Sequence, residues 1–140
     1  MSSIDELAAG TYSGGIRFRY GGGLNLIPNG REVRVSLALY AWTLEPASYD
    51  ELTGYRIWQT GDNNRCWQAY KANGPIRFWN QDGHAPGPPQ DWELFRFDVT
   101  DAAAGKVRIW NIYGRYVHKT SDYFSADTGA ASADIFVAEF

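Results

Sequence analysis

The sequence predicts an all-β protein and, within that class, a β-trefoil with three pseudo-symmetric four-stranded repeats. Three observations carry this prediction: a strand-turn-strand block that recurs, apolar residues at alternate positions of short segments, and Gly or Pro between nearly every pair of segments. The clearest copy of the block is Lys106–Thr120, its partner is Gly54–Tyr70, and a weaker copy is Gly15–Ile27. Self-similarity of this kind indicates a repeat architecture.

Each predicted repeat contains four strand-like segments, and residues 1–140 form one domain with repeats at approximately 11–46, 47–100 and 101–140. The predicted strands are Ile16–Tyr20, Gly23–Ile27, Val33–Leu37 and Tyr40–Leu44; then Tyr55–Thr60, Cys66–Tyr70, Ile76–Asn80 and Phe95–Val99; then Val107–Asn111, Arg115–Lys119, Tyr123–Ala126 and Phe136–Phe140. Because no such unit buries its apolar face alone, we expect closure into a barrel with hairpin caps, which also removes exposed sheet edges. A two-sheet sandwich, which also contains many short strands, is the competing interpretation.

Composition excludes several classes of function. A net charge of -3 is too small for electrostatic capture of nucleic acid, and no apolar run approaches the ~20 residues of a membrane span. The single cysteine, Cys66, excludes an internal disulfide, and the first ten residues lack the pattern of a secretory signal. We therefore expect a protein that does not insert into membranes and is cytoplasmic, or is released without a classical signal peptide.

The last predicted repeat resembles a known family. Gly114-Arg115-Tyr116-Val117 and Ile135-Phe136-Val137 stand where fascin-like and lectin-like β-trefoils carry a Gly-Lys/Arg-Tyr turn and a closing apolar-Phe strand. This resemblance implies the fold rather than the function. The Gln-any-Trp tripeptide of ricin-type lectin repeats occurs once, as Gln90-Asp91-Trp92, and does not recur in the other units.

Catalysis and metal binding have no support in the sequence. There is no G-x-S-x-G, P-loop or H-E-x-x-H motif, so we expect no enzyme activity and no cofactor. The two histidines, His84 and His118, are far apart and neither has a second ligand at metal spacing. Cys66, beside Trp67 in a predicted strand, is expected to be a small buried residue rather than a reactive thiol.

The most informative irregularity is the long, Pro-rich connection Asn80–Trp92 in the second repeat. Its tryptophans could stack on the apolar face of a pyranose while its amide, carboxylate and imidazole groups bond to the hydroxyls. The alternative is a stiff lid over buried indoles. The predicted ligand-binding residues are Tyr70, Trp79, Asn80, Asp82, His84, Asp91 and Trp92.

The turn Asp62-Asn63-Asn64-Arg65 is a second candidate site, although Asp and Asn favour such turns on backbone grounds alone.

Residues that recur in the repeats have a structural interpretation. The equivalent tryptophans, Trp58 and Trp110, are expected in the core or at the barrel bottom. The recurring Arg17, Arg56 and Arg108 are expected to pair with acidic residues around the barrel. Since the polar loops differ between repeats, one dominant site is expected rather than three.

The sequence thus favours a carbohydrate-binding protein, a lectin that binds glycans or glycoproteins without transforming them. One such site would be weak, so useful avidity would require a homodimer or a larger assembly. A protein-binding module such as a protease inhibitor, with His84–Gln90 as its protruding loop, is an alternative. A fascin-like cytoskeletal contact domain is another, although actin bundling in fascins uses several trefoils in tandem.

Overall fold

The computed structural model describes residues 2–61, 65–69, 74–78, 89 and 91–140. Over these residues the chain forms one α-helix, twelve strands and two short 3-10 turns, so the all-β prediction is confirmed. Each predicted strand overlaps an observed one. The elements are α1 (Ser3–Ala9), β1 (Gly14–Gly21), β2 (Leu24–Asn29), β3 (Glu32–Ser36), β4 (Trp42–Tyr49), β5 (Leu52–Trp58), β6 (Trp67–Ala69), β7 (Gly74–Phe78), β8 (Phe95–Asp101), β9 (Lys106–Asn111), β10 (Tyr116–Thr120), β11 (Tyr123–Thr128) and β12 (Phe136–Glu139), with 3-10 turns at Asp91–Glu93 and Ala130–Ser132.

The strands form a closed antiparallel barrel. In the described part of the chain, a circuit of 10 strands runs β1-β2-β3-β7-β11-β10-β9-β8-β5-β4 and returns to β1. Two strands lie outside this circuit: β6 pairs with β7, and β12 pairs with both β1 and β9. Closure leaves no long free edge along the circuit.

The predicted β-trefoil of three four-stranded repeats is contradicted by this 10-strand barrel, and the single closed sheet also excludes the two-sheet sandwich. The predicted boundary between residues 46 and 47 falls inside β4. Alternation of apolar residues locates strands, but it does not state which strands pair.

The β4–β5 hairpin crosses that predicted boundary. It pairs from Thr43↔Trp58 to Tyr49↔Leu52, and both turn residues, Asp50 and Glu51, have positive φ values of 47° and 71°. Two successive residues with positive φ give a turn whose twist matches that of the flanking strands. The hairpin therefore holds residues 43–49 and 52–58 in one fixed register.

Aromatic side chains fill the barrel interior. The indole of Trp67 contacts three rings, with centroid distances of 5.4 Å to Trp42, 5.8 Å to Phe95 and 6.0 Å to Phe18. All four of these side chains are fully buried. Such rings bury a large apolar area each and prefer the tilted and edge-to-face geometries observed here.

Helix α1 lies against β8 and is fixed at both of its ends. Ser2 and Asp5 form a capping box, and Gly10 ends the helix in the left-handed conformation with φ of 81°. The hydroxyl of Tyr55 donates to the carbonyl oxygens of Glu6 and Leu7 at 3.3 Å each. These contacts hold the buried Leu7 side chain against the barrel core.

We expect Leu7→Ala to lower the free energy of unfolding by about 2–5 kcal/mol, because removing the larger side chain leaves a cavity at a buried position. Guanidinium denaturation followed by tryptophan fluorescence measures this change. Leu39→Ala is the matched control, since Leu39 is 66% exposed and should lose far less. Equal losses in the two variants would show that α1 does not contribute to the core.

Candidate functional site

The structure describes two of the seven predicted site residues. Asp91 and Trp92 lie in the 3-10 turn Asp91–Glu93, directly before β8, and both are half-buried. The other five lie outside the described residues: Tyr70, Trp79, Asn80, Asp82 and His84. The same holds for Asp62, Asn63 and Asn64 of the second candidate turn.

Asp91 is already engaged by the protein. Its Oδ1 accepts a hydrogen bond of 3.0 Å from the backbone N–H of Trp92, and its Oδ2 accepts one from the hydroxyl of Tyr113. The sequence analysis did not select Tyr113, which is exposed in the turn after β9 and lies 22 residues away along the chain. The Asp91 carboxylate therefore stabilises contact between two turns and is poorly placed to bind a ligand with either oxygen.

A more open arrangement surrounds Trp58, at the end of β5. The indole Nε1 donates to Glu45 Oε1 at 3.2 Å, and Arg56 Nε donates to the same oxygen at 3.0 Å. The guanidinium carbon of Arg56 lies 4.7 Å from the centroid of the Trp58 ring. One carboxylate oxygen thus fixes both side chains, and the cation–π contact adds to their orientation.

Arg56 also contacts a buried network of polar side chains centred on Glu93. Arg56 Nη1 lies 3.8 Å from Glu93 Oε1, and Glu93 Oε2 accepts a hydrogen bond of 2.8 Å from Gln68 Nε2. The Cys66 thiol also points at Glu93 Oε2, at 3.8 Å. Burial, and then the negative charge of Glu93, raise the pKa of the Cys66 thiol far above its usual range. Cys66 is therefore a small structural side chain, as the sequence predicts.

A groove of about 650 Å³ opens beside the Trp58 indole. Its lining combines an indole, a carboxylate, two hydroxyls and an amide. These residues include Ser13, Thr43, Glu45, Trp58, Gln59 and Gly61. Glu45 has 48% of its side chain exposed, so its carboxylate is accessible, whereas Arg56 is only 11% exposed.

The second copy of the same arrangement, at Trp110, is called closed because protein side chains occupy both oxygens of its carboxylate and stack on its indole, although a groove of about 360 Å³ also lies beside this indole. Trp110 Nε1 donates to Asp98 Oδ1 at 3.0 Å, which repeats the bond between Trp58 and Glu45. Tyr116 stacks on the Trp110 ring at 5.9 Å and 24°, and its hydroxyl donates to Asp98 Oδ2 at 2.5 Å. This hydrogen bond, together with burial, raises the pKa of Tyr116. The guanidinium of Arg96 lies over the same indole at 5.3 Å.

Strand register explains why one copy is open and the other closed. The cross-strand neighbours of Trp110 are Arg96 and Tyr116, which are both large. The corresponding neighbours of Trp58 are Thr43 and Cys66, which are both small. Trp58 therefore lacks cross-strand counterparts of Arg96 and Tyr116, and the guanidinium over its ring comes from Arg56 on its own strand.

The prediction that the recurring arginines pair with acidic residues holds for Arg56, which forms an ion pair with Glu45, whereas Arg17 and Arg108 only stand opposite acidic residues in the strand register. The cross-strand pairs are Arg17↔Glu139, Glu45↔Arg56 and Asp98↔Arg108. In the first of these pairs the ion pair is made instead by Arg19, whose Nη1 lies 3.4 Å from Glu139 Oε2. Arg19 also stands where the other two copies carry an indole, so the acid–indole arrangement occurs twice among the described residues.

The prediction of a core position for Trp58 and Trp110 is wrong, because both indoles are half-buried and neither belongs to the barrel core. The repeated Arg-Ile-Trp tripeptide could have located this site, since it places Trp two residues after an arginine and therefore on the same face of the strand. What the tripeptide does not reveal is the size of the side chains on neighbouring strands.

No group of three or more His, Cys, Asp or Glu side chains within the described ranges could hold a metal ion. His118 contacts one carboxylate, with 2.5 Å between its Nε2 and Asp127 Oδ1.

We expect Cys66 in the native protein to resist a soluble thiol reagent such as Ellman's reagent, because the thiol is buried and its raised pKa disfavours the reactive thiolate. The measurement compares labelling in buffer with labelling in concentrated guanidinium chloride. The unfolded chain should react fully while the native chain shows no reaction. Native labelling at the unfolded rate would contradict the buried network around Glu93.

Comparisons with known proteins leave the resemblance to fascin-like and lectin-like proteins as an expectation. No protein-family model, no curated protein and no solved structure matches this chain. Among the described residues, no helix is both long and apolar enough to cross a bilayer.

Proposed function

We propose that this protein binds carbohydrate without transforming it, and that the groove beside Trp58 is its binding site. The observation that carries this proposal is the half-buried Trp58 indole, which Glu45 orients and which opens onto a groove lined by polar side chains. The corresponding indole, Trp110, is also half-buried, but Tyr116 stacks on it and Arg96 lies over it. The absence of a stacked protein ring among the described residues favours Trp58 over Trp110 as the ligand contact.

The groove offers the two kinds of contact that a pyranose requires. Its apolar face can stack on an indole, and its hydroxyls need donors and acceptors in fixed directions. Ser13 supplies a hydroxyl and Glu45 supplies a carboxylate. The Thr43 hydroxyl also bonds to that of Thr60 at 2.8 Å, and Gln59 Oε1 is buried, which leaves the Gln59 amide nitrogen as a donor. The indole, the carboxylate and Thr43 stand on paired strands, so their relative positions are fixed before a ligand arrives.

The lining residues favour binding over hydrolysis. Glycosidases generally place two carboxyl groups on either side of the scissile bond, with one acting as acid and the other as base or nucleophile. Glu45 is the one carboxylate among the described residues that line the groove. The second carboxylate of the network, Glu93, is 3% exposed and bonded to Gln68. We therefore propose a lectin rather than an enzyme.

The predicted loop site stays a prediction, because five of its seven residues lie outside the described part of the chain. Asp91 supports it less well than the sequence suggested, since both of its oxygens accept protein hydrogen bonds. The protease-inhibitor alternative depends on residues 84–90, of which only Pro89 is described. No observation favours that alternative or a cytoskeletal contact, and we do not propose either.

One shallow groove would give a weak interaction with a single sugar unit. Display of several grooves on one particle would raise the apparent affinity for a multivalent glycan without any new contact. A homodimer is the simplest such assembly, and we propose it as the form that binds glycan-coated surfaces. Size-exclusion chromatography with light scattering measures the assembly directly.

We expect Trp58→Ala to weaken glycan binding by roughly tenfold or more, because the stacking surface is removed. A glycan array identifies the ligand, and titration calorimetry with that glycan then measures the affinity of each variant. Trp110→Ala is the matched control, since it removes the equivalent indole from the closed copy. It should lower thermal stability and leave glycan affinity unchanged.

Three results would contradict the proposal in whole or in part. One is the absence of any glycan ligand on the array and in calorimetry for a protein that circular dichroism shows to be folded. Another is a glycan whose affinity is the same for the wild type and Trp58→Ala. Binding that depends on Trp110 instead would also remove the Trp58 groove as the site.

A further inference from the structure

We infer that the Trp58 groove selects neutral or amino sugars that donate a ring hydroxyl to Glu45, and that it discriminates against uronic, sialylated and sulfated glycans. This inference rests on the proposed function, because it specifies the ligand of the same groove. It depends on the charge and hydrogen bonding of Glu45, and on the comparison with Asp98 in the closed copy.

The closed copy shows what a complete arrangement contains. Each oxygen of Asp98 accepts one hydrogen bond, with Trp110 Nε1 on Oδ1 and the Tyr116 hydroxyl on Oδ2. The Tyr116 ring also stacks on the indole at an interplanar angle of 24°. One side chain thus supplies both a flat face for the tryptophan and a hydroxyl donor for the carboxylate.

The open copy lacks this contribution. Both hydrogen bonds to Glu45 are made to Oε1, from Trp58 Nε1 and Arg56 Nε. Oε2 has no hydrogen-bond donor among the residues that the structure describes. The residue that corresponds to Tyr116 is Cys66, whose thiol is directed at Glu93. A pyranose, with an apolar C–H face and hydroxyls at its edge, can make the counterparts of the two contacts that Tyr116 makes in the closed copy.

The charge around the groove disfavours an anionic ligand. The Arg56 guanidinium is engaged by two carboxylates, Glu45 at 3.0 Å and Glu93 at 3.8 Å, and only 11% of its side chain is exposed. Among the described lining residues, Glu45 is the one charged side chain. A carboxylate or sulfate on a sugar that bonds to Glu45 would therefore be repelled by the Glu45 carboxylate, whereas an ammonium group would be attracted to it.

Matched glycans test this inference. The probes are lactose, 3′-sialyllactose and sulfated lactose, together with N-acetylglucosamine and glucosamine oligomers, on one array. Within the series that binds, the acidic form should bind roughly tenfold more weakly than the neutral form at low salt. The difference should shrink as sodium chloride is raised, because salt screens exposed charges.

Glu45→Gln separates charge from shape. The amide can keep an oxygen near Trp58 Nε1 and Arg56 Nε, but it presents an N–H donor where Glu45 presents Oε2. We expect affinity for the neutral glycan to fall and affinity for the acidic form to rise, so that the ratio of the two affinities collapses. Asp98→Asn makes the same chemical change in the closed copy and should leave the ratio unchanged.

Thr43→Arg provides a second test if Glu45→Gln fails to fold. It introduces at Trp58 the cross-strand guanidinium that Arg96 provides at Trp110, so it should cover the indole and abolish binding of the neutral glycan. Equal binding of neutral and acidic glycans, or an unchanged ratio in Glu45→Gln, would overturn the selectivity and leave the proposed function standing. Failure of every glycan to bind the folded wild type would instead overturn the proposed function.

Discussion

The barrel depends on filling its interior, and the indole of Trp67 is central to that packing. Closing antiparallel strands into a circuit leaves a space that only side chains can occupy. Trp67 contacts Phe18 from β1, Trp42 from β4 and Phe95 from β8, so one ring connects strands that are distant along the chain. These contacts involve large, rigid side chains in specific orientations, and a slip of one residue in any of these strands would turn its ring away from the core.

The same packing determines which side chain lies beside Trp58. With Trp67 directed into the core, Cys66 and Gln68 on either side of it in sequence are directed toward Glu93. Space beside Glu93 is limited because Arg56 also approaches it. A small thiol fits there, whereas β10 carries the larger Tyr116 at the corresponding position. The absence of a stacked ring from β6 beside Trp58 is therefore a consequence of how the core fixes β6.

Sequence patterns located the strands but not their partners. Alternating residues such as Tyr55 and Ile57 marked β5 correctly, because period-two burial is a local property. The contacts that join hairpins are too short to leave a pattern, as with the single pair Glu32↔Arg77 between β3 and β7. Likewise, the Arg-Ile-Trp repeat identified two equivalent indoles, but the side chains that contact each indole depend on the neighbouring strands, which carry Thr43 and Cys66 beside Trp58. Asp91 was selected for its carboxylate, and its bond to Tyr113 could not be read from the sequence.

The exposure of each carboxylate matches its hydrogen bonding. A carboxylate removed from water needs protein donors for its oxygens, because an unsatisfied buried acceptor is costly. Asp98 is half-buried and has a donor on each oxygen, whereas Glu45 is exposed to water and has both of its protein donors on Oε1. Water can satisfy Oε2 of Glu45 in the free protein at little cost, and a ligand hydroxyl can replace that water without moving any strand. Thus the acid that is exposed in the free barrel is also the one that can exchange solvent for a ligand, while the closed copy stabilises the fold.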